Sequence, residues 1–522
     1  MTVTDRNEVS AETLASVSTP DRVESRLGTL EFDDGAPSDE TAALVYDNLD
    51  FQNGVQAFLG SIPGVSLTAL RRGFLAAGVE DNSFTLFSEL MDSASLFLTG
   101  NCDTVYFWGF IDLSDGPMVI DVPSIGAPSG ILGTIDDMWF KWVTDIGLPG
   151  PDRAQGGRYL LVGPGYEGPL PDSGFHVFHA RTTRVTVIGR AFMIENDPTV
   201  PVEVIREGVR VSPYVAGAEG TAVATYLAGD APLGAGKEAP KTNFVESSGV
   251  SFNTLFPGDF GFWDVIDELV QQEPPEAGDP ELLGVLASVG IVHGKKFEPD
   301  ERMRKILEEA AVVGNATART VTFAARPEEG FEFYPGSQWS SALFVGGYQF
   351  MDPPPMITAE GPVPAGPSDG ARKLDSRTNF FYMATGTTPA MCMRLTGIGS
   401  QYIYAMRDGE GAFLDGGRSY KLTLPADIPQ SRFWSVILYD RQTRSMLQTD
   451  QHLPRLGSQS GTVEANADGT TDLYFGPTAP DGKESNWLQT VPGKGWWPIL
   501  RLYNPLQSFF DKSWRPSEIE PI

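Results

Sequence analysis

Residues 104–113 read TVYFWGFIDL, and this run is the strongest indication of the fold class. It is rich in aromatic and β-branched side chains, which favour a buried strand of a sheet. Comparable short runs follow between Gly and Pro residues, namely PMVIDVP at 117–123, RYLLVGPG at 158–165 and RVTVIGRAFM at 184–193. We therefore predict an antiparallel sheet or sandwich between about residues 83 and 210.

A second β-rich region follows residue 396. It contains QYIYAM at 401–406, SRFWSVILYD at 431–440 and WPILRLYNPL at 497–506, with turn signals such as Asp408-Gly409 and Asp468-Gly469 between the runs. Regularly spaced strands and turns of this kind predict a jelly-roll-like β-sandwich. The predicted fold class is mainly β with a helical connection, α+β, with a β-rich N-terminal domain and a jelly-roll-like C-terminal domain.

Helical periodicity occupies other parts of the chain. It predicts two leading helices at 39–59 and 66–77, and a helical region between 252 and 323. Together these patterns predict the following organisation, given in chain order: a polar segment 1–37, an N-terminal β-rich domain 38–240, a helical connecting region 241–350, a Pro/Gly-rich linker or loop 351–370, and a C-terminal domain 371–522.

Charge and hydropathy exclude several partners. The 522 residues carry 68 acidic and 38 basic side chains, a formal net charge of −30, so the phosphate backbone of a nucleic acid would be repelled. The sequence shows neither an apolar run long enough to span a membrane nor a secretory signal, which makes the cytoplasm the expected compartment. The predicted sheets have exposed edge strands, which can pair with a second copy of the chain, so a homo-oligomer is one of the possible states.

The sequence identifies no cofactor. Residues 163–168, GPGYEG, match the spacing of a dinucleotide-binding loop, but Pro169 and Pro171 prevent the helix that such a loop must begin. Cys102 and Cys392 are the two cysteines and lie far apart, so neither a zinc site nor a disulfide framework is indicated. A site in which a carboxylate binds a divalent metal remains one of the alternatives.

One polar segment stands at the entry to the predicted strand. Asn101, Asp103 and Tyr106 lie in TGNCDTVY at 99–106, where polar side chains are costly unless they are paired. In the functional interpretation, Asp103 is a general acid/base or a metal ligand, while Asn101 and Tyr106 orient a substrate or stabilise developing charge. In the structural interpretation, the segment is a buried hydrogen-bond network that fixes a turn.

A second polar and aromatic concentration lies near the C-terminus. Asn486, Trp487, Arg501 and Tyr503 could form a platform for a sugar or a flat organic ligand, and they would serve equally well in a sandwich core. Arg501 is a candidate for holding an anionic group, as is Lys141 in the N-terminal region.

The chain resembles a bacterial two-domain family known only as paired domains of unknown function, of DUF1254 type at the N-terminal side and DUF1214 type at the C-terminal side. The resemblance is carried by LMDSASLFLTGNCDTVYFWGFIDL at 90–113 and VTVIGRAFM at 185–193, then by LPADIPQSRFWSVILYDRQTRSMLQTDQ at 424–451 and KESNWLQTVPGKGWWPILRLYNPL at 483–506. It implies a β-rich domain, a helical connection and a jelly-roll-like sandwich, but no reaction. Cys102 departs from the Asn-Thr-Asp-Thr-Val-Tyr of typical members, and many relatives look exported.

Two hypotheses about function follow. The first is an enzyme, a hydrolase or lyase rather than a redox enzyme, that acts on a small organic or glycan-like substrate in a cleft between the domains. The alternative is a non-catalytic module that binds carbohydrate or protein, or that serves assembly. The environment of Asp103 discriminates between them, because an acid/base residue must reach a substrate.

Overall fold

The computed structural model describes residues 9–124, 130–215, 241–327, 331–341, 347–351, 356–358, 361–363, 370–393 and 395–522. Its α-helices are α1 (Ala11–Val17), α2 (Asp39–Ala76), α3 (Thr199–Gly208), α4 (Gly261–Gln272), α5 (Pro280–Ser288), α6 (Glu301–Phe323), α7 (Leu374–Met383), α8 (Pro389–Cys392) and α9 (Gln507–Phe510). Short 3-10 turns span Pro275–Ala277, Gly347–Gln349 and Glu484–Asn486.

The strands of the first half are β1 (Arg22–Ser25), β2 (Gly28–Asp33), β3 (Ala36–Pro37), β4 (Phe84–Leu86), β5 (Val105–Asp112), β6 (Met118–Val122), β7 (Ile131–Asp137), β8 (Trp142–Gly147), β9 (Gly157–Val162), β10 (His176–His179), β11 (Arg184–Ala191), β12 (Arg210–Pro213) and β13 (Phe244–Glu246). The strands of the second half are β14 (Trp339–Ser340), β15 (Met356–Thr358), β16 (Gly361–Val363), β17 (Ser400–Ala405), β18 (Tyr420–Leu424), β19 (Gln430–Asp440), β20 (Arg455–Gly457), β21 (Thr471–Gly476), β22 (Trp487–Gln489), β23 (Trp496–Pro505) and β24 (Glu520–Pro521).

The N-terminal region forms two sheets that share a core. The six-stranded sheet has the order β13-β4-β5-β11-β7-β8, and the four-stranded sheet has the order β10-β9-β6-β12. Side chains at alternate positions, such as Val105, Phe107 and Val187 from the first sheet and Ile120 and Leu161 from the second, are buried in one cluster. Most pairs are antiparallel, as predicted, while β13 with β4 and β10 with β9 are parallel.

The C-terminal region also forms two sheets, with the orders β14-β17-β23-β19-β20 and β22-β21-β18-β24. Their shared core contains Val436, Leu438 and Leu500 from the five-stranded sheet and Leu422 and Leu473 from the four-stranded sheet. The α+β composition with β-rich halves agrees with the sequence, and a jelly-roll connectivity of this sandwich stays a prediction. Within residues 351–370, where a linker or loop is predicted, β15 and β16 form a short antiparallel pair.

The leading helical segment differs from the prediction. Instead of two helices at 39–59 and 66–77, α2 is one helix of 38 residues that continues through Pro63. Ser38 caps its start, since the side chain accepts a hydrogen bond from the backbone N–H of Thr41. Phe58, at the centre of the helix, is fully buried and stacks on Phe262 of α4 with ring centroids 3.9 Å apart. This packing outweighs the helix-breaking tendency of Pro63.

The outer face of the six-stranded sheet does not point to solvent. It packs with helices α2, α4 and α6 and with one face of the five-stranded C-terminal sheet in the largest hydrophobic cluster of the described residues, to which Trp108, Trp263, Leu307, Tyr439 and Ile499 belong. The two β regions are therefore joined by a common core, and the functional side chains lie where their sheets meet.

Among the described residues, no helix is both long enough and apolar enough to cross a membrane.

Candidate functional site

The polar segment of the N-terminal region lies against the five-stranded C-terminal sheet. Strand register places Tyr106 directly opposite Arg190 in β5 and β11. In the C-terminal sheet, Tyr402 pairs with Arg501, and Ser400 pairs with Tyr503. Because side chains alternate between the faces of a strand, these residues project from the face opposite the sandwich core. We call this group, together with Asn101, Asp103, Ser435 and Arg455, the interface cluster.

Asp103 is enclosed by partners from the other half of the chain. Its Oδ2 accepts hydrogen bonds from the Ser435 hydroxyl at 2.5 Å and from the Tyr503 hydroxyl at 2.8 Å. Its Oδ1 lies 3.4 Å from Nη1 of Arg455, and the residue is 1% exposed. Both carboxylate oxygens are thus occupied and screened from solvent. We call Asp103, Ser435, Arg455 and Tyr503 the Asp103 end of the cluster.

Asn101 connects the Asp103 end, through hydrogen bonds, to the phenols of Tyr106 and Tyr503. Its Oδ1 accepts from the backbone N–H of Asp103 at 2.9 Å, which closes a local turn. Its Nδ2 donates to the hydroxyls of Tyr503 at 2.9 Å and of Tyr106 at 3.2 Å. The structure therefore brings together Asn101, Asp103 and Tyr106, which the sequence predicted as one site, and it shows Asp103 in a hydrogen-bond network.

Arg190 connects the two sheets. It extends from β11, where the following Ala191 is buried in the sandwich core, and its Nη1 donates to the Tyr106 hydroxyl at 3.2 Å. Its Nη2 donates to the Ser400 hydroxyl at 3.1 Å, across to the C-terminal sheet. Both partners are hydroxyl groups, and no ion pair between Arg190 and a carboxylate is found among the described residues.

Arg501 is the second arginine of this group. It is 4% exposed, and its Nη1 is buried without a hydrogen-bond partner among the described residues. The guanidinium carbon lies 5.6 Å from the ring centroids of both Tyr402 and Tyr439. Burial opposes the charge of Arg501, but the hydroxyls of Tyr439 and Tyr503 and the Asp103 carboxylate together raise its pKa. A buried guanidinium with a free N–H is energetically costly unless an anion pairs with it.

Tyr402 lies between these two cations. Its hydroxyl is 2.6 Å from that of Ser400, and the residue is half-buried. Burial alone would raise the pKa of the phenol, but Arg190, the Ser400 hydroxyl and Arg501 together hold the pKa of Tyr402 below its usual range. We call Arg190, Ser400, Tyr402 and Arg501 the Tyr402 end of the cluster. This end is positive and contains a phenol that loses its proton more easily than an ordinary tyrosine.

Two ionisable groups beside Asp103, the Cys102 thiol and the Tyr503 phenol, stay protonated near neutral pH. Burial and the neighbouring Asp103 carboxylate raise the pKa of the Cys102 thiol to about 12. The same two causes raise the pKa of Tyr503 well above its usual range, consistent with its role as a hydrogen-bond donor to Asp103. Neither Cys102 nor Tyr503 is therefore set up as a nucleophile or base near neutral pH.

Two other predicted residues serve the C-terminal sandwich. Asn486 donates through Nδ2 to the backbone carbonyls of Glu464 and Asp472, at 2.8 Å each, and accepts from the N–H of Glu464 at the same distance. Trp487 donates its indole N–H to the carbonyl of Gly476 at 3.0 Å. These bonds connect strands and loops of the sandwich, and neither residue contacts the interface cluster.

Lys141 also lies apart from the cluster. It follows β7, and its backbone N–H donates to the Asp137 carboxylate at 2.9 Å. Desolvation and the neighbouring Arg372 lower the pKa of its ammonium to about 8, although the attraction of Asp137 opposes this change. Of the two residues predicted to hold an anion, the structure thus brings only Arg501 to the Asp103 segment.

The environment of Asp103 offers cations and hydroxyls rather than further metal ligands. Nowhere in the described ranges do three or more His, Cys, Asp and Glu side chains gather closely enough to hold a metal ion. Two surface cavities, of about 410 and 760 Å³, are lined by other residues, including Gln448 and Gln489 in the first and Thr322 and Arg407 in the second. Neither cavity is lined by a member of the interface cluster, whose half-buried members are Tyr106, Arg190, Tyr402 and Arg455.

Sequence reasoning did not single out Arg190, Ser400, Tyr402, Ser435 and Arg455. For two of these residues, the sequence contains a pattern that could have indicated a buried polar site. Arg190 interrupts the apolar run VTVIGRAFM, and Tyr402 lies in QYIYAM, each at a strand position where a polar group must find a partner. Ser435 and Arg455 carry no such signal, since their partner Asp103 is more than 300 residues away in sequence.

Comparisons with known proteins match the two halves separately. The family model described as a protein of unknown function, DUF1254, matches residues 82–213, and the one described as a protein of unknown function, DUF1214, matches residues 399–507. This order confirms the resemblance found in the sequence. Asn101, Asp103, Tyr106 and Arg190 fall in the first match, and the other members of the interface cluster fall in the second. No curated protein matches the chain.

The fold of this chain is similar to that of a solved structure. The VPA0106 protein from Vibrio parahaemolyticus is 18% identical, with a TM-score of 0.50, over 90% of this chain and 100% of that chain. A putative uncharacterised protein from Burkholderia cenocepacia is 10% identical, with a TM-score of 0.38, over 92% of this chain and 96% of that chain.

Proposed function

Because the chain carries a DUF1254 domain followed by a DUF1214 domain, and the interface cluster is built from both, we propose that it binds a small organic anion where the domains meet and transfers a proton through Tyr402. The observation that carries this proposal is the pair of Arg190, which is half-buried, and Arg501, which is buried, beside one phenol; no direct ion pair between either guanidinium and a carboxylate is found among the described residues.

The chemistry follows from the charges. Guanidinium groups bind carboxylates through paired hydrogen bonds, so Arg190 and Arg501 hold the acid group of the ligand. Tyr402, with its lowered pKa, removes a proton from the carbon next to that carboxylate. Negative charge that develops on the carboxylate is stabilised by the same guanidiniums, which are already oriented by the protein.

This mechanism belongs to a lyase or isomerase rather than a hydrolase. Hydrolysis requires an activated nucleophile or water, yet both oxygens of Asp103 are occupied and the Cys102 thiol stays protonated. Asp103 is then a positioning residue, which orients Tyr503 and, through Asn101, the hydroxyl of Tyr106.

One observation favours binding without turnover as the second candidate. Asp103, Arg501 and Tyr503 are at most 4% exposed, so a ligand could be held there as a structural or regulatory anion. A carbohydrate module at Asn486 and Trp487 has less support, because their polar atoms are used within the sandwich.

Deuterium exchange tests the proposal. The full chain is incubated in heavy water with acetate, propionate, malonate or succinate, and NMR follows loss of the C–H signal next to the carboxylate. We expect exchange above the buffer rate for at least one acid, and loss of that exchange in Tyr402→Phe and Arg190→Gln. Tyr404→Phe, which alters a buried tyrosine two residues along β17, and Arg26→Gln, which alters an exposed arginine, should keep it.

Two results would count against the proposal. Exchange that persists in Tyr402→Phe removes the phenol from the mechanism. Binding of an acid with no exchange in any protein supports the binding-only candidate instead.

A further inference from the structure

The larger of the two surface cavities lies between three elements of the chain. Its volume is about 760 Å³, within the range of pockets that hold small organic molecules. The C-terminal end of α6 and the residues that follow it form one side, with Phe323 and Ala325. The second side is the segment 331–340, which pairs with β17 through β14. Tyr404 and Met406, at the end of β17, form the third side.

The inner wall of this cavity is aromatic and apolar. Tyr404 and Met406 are buried, and Phe323 and Phe331 are half-buried. The rings of Phe331 and Tyr404 meet edge to face, with centroids 6.5 Å apart and an angle of 78° between their planes. Aromatic rings and a thioether make favourable contacts with a further aromatic ring, because edge-on and offset arrangements suit their charge distribution.

Arg407 places a cation at the edge of the cavity. Its Nη1 donates to the carbonyl of Gly411 at 2.8 Å, and its guanidinium carbon lies 3.7 Å from the ring centroid of Phe413. These contacts orient the guanidinium, and no ion pair between Arg407 and a carboxylate is found among the described residues. The N–H groups that Gly411 does not use are therefore free to donate to an anion.

Two other charged side chains line the cavity among the described residues, and both are exposed. Glu332 accepts a hydrogen bond at Oε1 from the backbone N–H of Ser337 at 2.9 Å. Arg326 lies with its Nε 3.6 Å from Oδ2 of Asp375. Because solvent screens exposed charges, the half-buried Arg407 contributes most to the recognition of a charged ligand.

A second arginine increases the positive charge next to Arg407. Arg441 lies over the same ring of Phe413, with its guanidinium carbon 5.0 Å from the centroid, and its Nη1 is buried without a hydrogen-bond partner among the described residues. Burial and two neighbouring arginines, one of them Arg407, lower the pKa of Arg441, although nearby carboxylates oppose this change. An anion beside Arg407 would reduce the repulsion between the two guanidiniums.

We propose that this cavity binds a small aromatic carboxylate, with its ring against Phe331 and Tyr404 and its carboxylate at Arg407. The site goes beyond the proposed function, because none of the described residues that line it belongs to the interface cluster. An aliphatic acid lacks the ring that the inner wall favours, and a neutral aromatic molecule lacks the charge that Arg407 attracts.

Four molecules separate the contribution of the ring from that of the charge. Calorimetry of the full chain is run with phenylacetate, cyclohexylacetate, acetate and phenylethanol at constant ionic strength, with chloride as the background anion. We expect phenylacetate to bind about tenfold or more tightly than acetate or phenylethanol. It should bind about threefold more tightly than cyclohexylacetate, because aromatic contacts add to the burial of apolar area.

Two variants change one feature of the site each. Arg407→Met removes the charge and should reduce the affinity for phenylacetate about tenfold, to that for phenylethanol. Ala325→Trp fills the cavity and should abolish binding while all charges remain. Arg26→Gln, at an exposed position, and Arg190→Gln, in the interface cluster, should keep the affinity of the unaltered protein. Thermal melting in chloride establishes that each variant is folded.

The outcomes distinguish this site from the interface cluster. Binding that is lost in Arg190→Gln but kept in Ala325→Trp would place phenylacetate at the interface cluster, which overturns this inference and leaves the proposed function intact. Equal affinities for phenylacetate and phenylethanol, or for phenylacetate and cyclohexylacetate, would overturn the selection of an aromatic carboxylate. Absence of phenylacetate binding would overturn it as well.

Discussion

The two ends of the interface cluster treat buried charge in opposite ways. At the Asp103 end, a carboxylate is matched by one guanidinium and two hydroxyls. At the Tyr402 end, two guanidiniums meet hydroxyls and aromatic rings and form no direct ion pair with a described carboxylate, although the Asp103 charge acts on Arg501. One strand, β23, supplies a residue to each end, since Arg501 and Tyr503 are neighbours on one of its faces. The difference teaches that a buried ionisable residue becomes a functional candidate when its charge is left unbalanced, rather than because it is buried.

The largest expected effect comes from breaking the balanced end. Asp103→Asn keeps the size of the side chain but removes the charge that faces Arg455, so we expect the free energy of unfolding to fall by about 3–5 kcal/mol. Urea denaturation of the full chain measures this value. Asp115→Asn, at an exposed position, serves as the control and should change stability by less than about 0.5 kcal/mol. Similar stabilities for the two variants would mean that Asp103 is not held as the structure shows.

Methionine substitutions compare the two ends directly. Arg455→Met leaves Asp103 without its cation and should lower the free energy of unfolding by about 2–3 kcal/mol, because Arg455 is partly exposed. Arg501→Met removes a buried cation that forms no direct ion pair but interacts with the Asp103 charge, so stability should fall by less than about 1 kcal/mol in the absence of ligand. Chemical denaturation measures the difference between the two variants. A loss for Arg501→Met as large as for Arg455→Met would contradict the proposed imbalance.

Asp145 is a buried carboxyl group with a raised pKa and no cation beside it among the described residues, and it makes stability depend on pH. Burial raises the pKa of Asp145 to about 6, although Thr388 and Trp142 donate hydrogen bonds to it. The folded state thus binds the proton more tightly than the unfolded chain does, and this carboxyl makes stability fall as pH rises from about 4 to about 7. Asp145→Asn should remove about 1–3 kcal/mol of that decrease.

Denaturation at several pH values measures the effect of Asp145. Burial also raises the pKa of Asp136, so part of the decrease should remain in the variant. Asp115→Asn should reproduce the whole pH profile of the unaltered protein. A profile for Asp145→Asn that coincides with it would show that this carboxyl does not titrate as expected.

The smallest effect is spectroscopic. Because Arg190 and Arg501 lower the pKa of Tyr402, its phenolate absorption should develop at a lower pH than that of the other tyrosines. Ultraviolet titration of Tyr402→Phe should lack this early component. Tyr404→Phe should retain it, since burial raises the pKa of Tyr404. If both variants lose the same late component, the phenol at position 402 is not activated.

Local patterns predicted much of the fold because they report local preferences. Runs such as TVYFWGFIDL indicated the strands, and the β-rich halves with a helical region between them follow from such runs. The prediction of a break in α2 was wrong, because burial of Phe58 and its neighbours against α4 and α6 is a tertiary effect that Pro63 does not reveal.

The site was only half predictable for a related reason. Asn101, Asp103 and Tyr106 are adjacent in sequence, so their polar character within an apolar segment indicated a cluster. Arg190 and Tyr402 come from separate strands, and only the pairing of β5 with β11 and the packing of two sheets bring them together. Lys141 has the same charge as Arg501, and sequence alone could not tell which of the two faces the segment.

The connection of Asp103 to Tyr503 spans 400 residues. A ribosome releases the N-terminal region long before β19 and β23 exist, so the nascent first domain has an aspartate with none of its three partners. We expect this half to stay incompletely ordered until the last strands emerge, and to require protection from aggregation during that interval. We therefore expect the N-terminal region to complete its folding only when the C-terminal region has been synthesised and packs against it.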